Sequence, residues 1–307
     1  MAFENISSPD SPVEQRKLLI AASDLTRALA EYGHAAASIA REATAESVLY
    51  IIWLRLLQMA RSIQSSCYLG YAHEQQGIAR GMVNAASDLM FIASRSDPTS
   101  WAMLYALYSI ERRKRIGKGF VKAGVMSQEQ FDQWDQEQDK IEAKVMKEAD
   151  GKGIRTAEKH KPSKKSGSSK EPQSAPTWSG YTDADLIGTT GRNWYAAYYV
   201  PFSDVTHANV MSAETELTQL RAGQVEVGPR FPDVILMQVI GAMADTMTSA
   251  AETINRHFKL NKEKEIAQQE RAMLKAIQEY RASLPSASQA QPVKEPQPSD
   301  SSLPSKG

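Results

Sequence analysis

Apolar positions along the chain return at three- and four-residue steps, the period of helices with one buried face. Pro12 suits the first turn of a helix, where its missing N–H costs nothing. Leu18, Leu19, Leu25, Leu29 and Tyr32 continue that stripe to about residue 43, with Gly33 read as a point of close packing. A second helix is predicted over about 45–69 from Val48, Ile51, Ile52, Leu56, Leu57 and Ile63, and Gly70 is placed to end it. A third, mostly apolar helix covers about 76–94. The cluster Ser94–Asp97 before Pro98 marks a loop and a new helix start, and that helix runs over about 99–120. Ser127-Gln128-Glu129-Gln130 has capping-box spacing and opens a charged helix to about 149.

Further on, Trp178-Ser179-Gly180 marks a return of order, and Tyr181–Asp185 reads as a helix cap and first turn. A helix over about 193–212 carries Trp194, Tyr195, Tyr198, Tyr199 and Phe202, with Pro201 expected to kink or break it. Residues 214–230 read as a loop or small hairpin. The stretch 231–258 has a broad apolar face and should be central. These elements predict an all-α fold, a helical bundle in two parts, 12–149 and 177–260. A flexible basic insertion, 150–176, interrupts it, where Gly, Ser, Pro and Lys replace large apolar residues. Residues 1–11 and 285–307 are expected to be disordered ends, and 261–284 a charged helix projecting from the body.

The chain has 307 residues, 42% hydrophobic, enough for one sizeable core. Lys plus Arg equals Asp plus Glu at 36 each, so bulk charge does not drive nucleic-acid binding. The single cysteine, Cys67, excludes an internal disulfide or thiolate cluster and reads as a small buried hydrophobe. The first residues, MAFENISSPDSP, lack the pattern of a secretory signal. The strongly apolar run Val48–Leu54 is far shorter than the roughly 20 residues that span a bilayer, so a cytoplasmic protein with no membrane partner is expected. Arg112, Arg113, Lys114, Arg115, Lys118 and Lys122 close the helix over 99–120. They complement its dipole or form a patch for an anion or RNA. Lys159–Lys170, in the insertion, reads as a solvated run.

Two polar stripes stand out on otherwise apolar helices. Arg80, Asn84, Ser87 and Asp88 lie four, seven and eight residues apart and share one face. Arg and Asp enter a core only when something pairs with them. The stripe therefore lines a polar pocket, forms an internal network or faces water. On the helix near 200, Tyr199, Ser203 and His207 make a second stripe, with Asp204 beside it. Ser203 and His207, four apart, can hydrogen-bond, and a His is a common general base or acid. The five histidines are dispersed without an H-x-x-x-H pair, no phosphate-binding glycine loop is present, and neither metal nor cofactor is expected.

The order Ala79-Arg80 on an apolar helix, Trp178-Ser179-Gly180, then Tyr198-Tyr199 through Ser203 to His207 resembles an uncharacterised bacterial family, a domain of unknown function related to the HEPN superfamily of helical proteins. The resemblance covers about residues 40–260. Asn84 stands where such proteins tend to have glutamate, and Phe202 and Ser203 stand where HEPN ribonucleases carry an arginine before the histidine. The resemblance implies a HEPN-like antiparallel helical bundle. Three functions follow as expectations. The first is a buried pocket of Arg80, Asn84, Asp88, Tyr199, Ser203 and His207 that binds a nucleotide or another anionic ligand. The second is a metal-independent endoribonuclease of toxin or anti-phage type, with His207 as base and Arg80 stabilising the phosphate, where a homodimer could bring the two together. The third is a non-catalytic protein-interaction module in which Arg80 and His207 are core hydrogen-bonding residues.

Overall fold

The structure, a computed structural model, describes residues 13–39, 44–151, 178–179, 181–206 and 233–284. Every regular element among them is helical. In chain order these are α1 (Val13–Ile39), α2 (Thr44–Tyr68), a 3₁₀ turn (His73–Gln75), α3 (Gln76–Ala93), α4 (Pro98–Lys122), α5 (Gln128–Gly151), α6 (Asp183–Gly188), a π-helical turn (Tyr195–Tyr199), α7 (Val200–Thr206), α8 (Asp233–Phe258) and α9 (Glu263–Ser283). The expected disordered ends, most of the insertion, the loop at 214–230 and His207 lie outside the described residues.

Local signals end the helices where the sequence suggests. Gly70 takes a φ of +86°, open to glycine at no steric cost, and the Tyr71 N–H closes back on the Ser66 carbonyl at 2.9 Å. Asp97 caps α4 by accepting the Ser100 N–H at 3.1 Å, with Pro98 in the first turn. At α5 the capping box is complete: the Gln130 N–H donates to Ser127 Oγ at 3.1 Å and the Ser127 N–H to Gln130 Oε1 at 3.0 Å.

The core is built around α8, which packs against α1, α2, α3 and α9. Val239, Ile240, Met243 and Met247 on α8 are fully buried, as are Leu49, Trp53 and Leu56 on α2 and Met82, Val83 and Leu89 on α3. Gly33 allows the approach of α1 to α2, since a Cβ there would lie 2.8 Å from Trp53 Nε1. Cys67 is buried, and burial pushes its thiol up to about 12. By length and composition α8 could cross a membrane, but 67% of its apolar stretch is buried inside the protein, which fits a soluble chain.

The helix expected to project does not. Ile266, Met273 and Tyr280, seven residues apart, share one stripe of α9 and are buried where it packs on α1 and α8. Its exposed charges conceal a docked face. The element that reaches out is instead the α4–α5 hairpin. The first half of α4 packs on α2, and α5 takes α4 as its packing partner. Gly117 seats the rings of Phe131 and Trp134, and Lys114 bonds Asp139 and, at 2.8 Å, Glu142.

Candidate functional site

The stripe on α3 divides as its helical positions demand. Ser87 falls on the buried side, and its hydroxyl donates to the Val83 carbonyl at 2.8 Å. Arg80, Asn84 and Asp88 follow one another at four-residue steps and are half-buried. Arg80 Nη2 donates to the Tyr199 hydroxyl at 2.9 Å, and that hydroxyl donates to Asp183 Oδ2 at 2.6 Å. The guanidinium also lies 4.7 Å from the centre of the Tyr199 ring, and Tyr195 stacks on the same ring at 5.3 Å. Burial first, and then the bond to Asp183, raise the Tyr199 phenol above its ordinary range.

Two turns further along α3, Asp88 Oδ1 accepts the indole N–H of Trp178 at 3.0 Å. Trp178 sits among Phe91, Trp101 and Tyr105 in edge-to-face contacts of 5.2–6.3 Å. The Asp88 carboxyl is pushed up to about 7. Burial is the main cause and the negative charge of Asp183 adds to it, while the Trp178 bond and Arg55 oppose it.

Local folding places these partners. Thr182 and Asp185 form a capping box, with the Asp185 N–H on Thr182 Oγ1 at 3.2 Å, and this sets Asp183 in the first turn of α6. The kink expected at Pro201 appears as the π turn just before it. The Val200 N–H bonds the Tyr195 carbonyl, and Pro201 has no N–H to restore the α ladder. The extra residue in that turn re-aims the residues after it and leaves Tyr199 facing α3.

Arg80 and Tyr199 therefore meet, with Asp183 behind them. Asp88 pairs with Trp178, and Asp183 lies near enough for its charge to bear on the Asp88 carboxyl. Ser203 donates its hydroxyl to the Tyr199 carbonyl at 2.6 Å. Sequence reasoning took Asp183 for a cap residue and gave Trp178 no partner, because neither bond has a local signature. It also missed Trp194, whose indole N–H donates to Asp245 Oδ2 at 2.8 Å, with Arg192 3.8 Å from the same carboxylate and 3.6 Å from Glu252. Asp245 opens into a cleft of about 330 Å³ between α8 and α9, which Tyr198, Gln238, Gly241, Glu270 and Leu274 also line. Burial, with Asp245 adding to it, pushes the Tyr198 phenol up to about 12.

Chemically, the α3 face acts first as a seat for residues 178–206. Its cation and its carboxylate are each engaged by a side chain from that segment. Among the described residues no group of three or more His, Cys, Asp or Glu is arranged to hold a metal ion. A family model described as a family of unknown function, DUF5677, matches residues 46–223. That span holds all but the first two residues of α2 and runs through α7, and with them the stripe, its partners and the hairpin. No curated protein and no solved structure matches the chain.

Proposed function

Taking as premise that the chain belongs to DUF5677, a family of unknown function, we propose that it is a non-catalytic, cytoplasmic protein-interaction module that presents the α4–α5 hairpin to a partner. One observation carries this reading. α5 takes α4 as its packing partner, while Ile116, Phe120 and Ile141 on the two helices are 45–47% exposed. Large apolar side chains grouped away from a core are the usual mark of a contact surface. The stripe on α3 supports the same reading, since Arg80 and Asp88 hold the segment from Trp178 to Tyr199 in place.

A photo-reactive residue placed at Phe120, and another at Ile20 as an exposed control on α1, tests the module in cells. Discrete adducts from position 120 and none from position 20 are expected; no adduct from either would sink the reading.

A second reading has its own observation: Arg80 and Asn84 are half-buried side by side, and an arginine fork suits phosphate. This is the HEPN-type reading, with a nucleotide held there or RNA cleaved with the help of His207. Arg80→Ala and His207→Ala separate the two. Under the module reading neither variant changes an RNA-degrading or nucleotide-binding activity, and Arg80→Ala melts lower because losing a half-buried bonded group costs about 1–3 kcal/mol. An activity that vanishes in both variants at unchanged melting temperature would put the second reading in place of the first.

A further inference from the structure

The face of the hairpin points to a particular partner. At 100° per residue, Ile116 and Phe120 lie one above the other on α4, with Arg113 beside them. On α5, Trp134, Glu137 and Ile141 follow at steps of three and four. Lys114 crosses to Asp139 and Glu142 along one side of the hairpin. With the two helices antiparallel, helical geometry places Ile116, Phe120, Trp134 and Ile141 together on the opposite side.

Charge is segregated between the same two helices. From Glu111 to Lys122 there are six bases and one acid. From Gln128 to Lys147 there are six acids and three bases. A nucleic acid or an acidic membrane approaching the basic helix would meet the acidic one beside it. A second hairpin turned about a two-fold axis parallel to the helices meets no such conflict. That operation lays α4 of one copy over α5 of the other, base over acid, with the apolar patches face to face and each helix antiparallel to its neighbours.

We propose that this face of the α4–α5 hairpin is a two-fold interface between two copies of the chain, closing a four-helix bundle. The proposal rests on the interaction-module reading and names its partner. The available area agrees. Two helices about 30 Å long and about 20 Å across together offer roughly 600 Å² per copy, or roughly 1,200 Å² in total, at the low end for a specific complex. The dimer should therefore be reversible, with a micromolar dissociation constant.

Sedimentation of the full chain over the micromolar range tests it. The wild type should move from monomer toward dimer as concentration rises. Ile116→Glu with Phe120→Glu should stay monomeric with its helical content and melting temperature kept, because both residues are exposed. If that variant misfolds, charge reversal decides. Arg113→Glu and Glu137→Arg should each weaken the dimer about tenfold, and the double reversal should restore it. A wild type that stays monomeric throughout overturns the proposal, as does a dimer indifferent to all these changes. A monomer that binds single-stranded RNA or acidic vesicles through Arg113 also overturns it. A monomer in solution with adducts to another protein from position 120 would overturn the two-fold partner and leave the module reading standing.

Discussion

α5 and α9 are two charged helices of similar length, 24 and 21 residues, and their fates differ. Each buries a stripe at seven-residue spacing: Phe131 and Gln138 on α5, and Ile266, Met273 and Tyr280 on α9. The stripe of α9 meets two helices of the core, α1 and α8; that of α5 meets α4. Charge content therefore does not decide whether a helix docks. What decides is how many neighbours its narrow apolar stripe reaches. The hairpin is consequently the part of the molecule whose packing can open without the core opening.

The comparison can be broken most directly at Tyr280. Tyr280→Ala removes a buried ring from between core helices and should cost about 3–5 kcal/mol, seen as a lower global melting temperature. If it cost less than about 1 kcal/mol, α9 would be no more part of the core than α5. A matched pair of glycines sharpens the contrast. A Cβ at Gly117 would lie 2.7 Å from the Phe131 and Trp134 rings, and one at Gly33 would lie 2.8 Å from Trp53 Nε1. Both alanine variants overpack by about 1–3 kcal/mol. Gly33→Ala should lower the global melting temperature. Gly117→Ala should leave it nearly unchanged and show instead as faster amide exchange along α5.

The smallest effect concerns the seat of Trp178, just beyond the insertion. Asp88 is raised to about 7 in the folded protein from an ordinary 3.8. The folded state thus binds more protons than the unfolded state between those values, and stability falls as pH rises from about 4 to about 7. The fold relaxes around a buried charge, so the span should be about 1–2 kcal/mol, below the full linkage value. Asp88→Asn keeps an acceptor for the Trp178 indole and should remove this part of the pH dependence in paired melts. Equal slopes in the two proteins would show that the carboxyl does not titrate there.

Much of the fold was legible because helices announce themselves locally. Gly70, Pro98 and the boxes at Ser127–Gln130 and Thr182–Asp185 act within a few residues, and apolar periodicity marked α8 as central. Periodicity reports that a face is buried and not what buries it, so the helix over 261–284 was expected to project when the hairpin does. The site was legible on one side only. Arg80, Asp88 and Tyr199 stood out as polar groups on apolar helices that needed partners. Asp183 and Trp178 meet them across long stretches of chain, through bonds that leave no local signature. Tyr199 faces Arg80 through a π turn, and helical arithmetic at 3.6 residues per turn does not describe that turn.

The same turn makes residues 195–199 more sensitive to chain length than to composition. Its ladder spans five residues where an α ladder spans four. Deleting one alanine there would restore the regular ladder, swing the Tyr199 phenol about a quarter turn away from α3 and leave the Asp183 carboxylate without its donor. Exchanging that alanine for serine would do none of these. Relatives of this chain that keep the Arg80 contact should therefore vary in the letters of this stretch while holding its length constant.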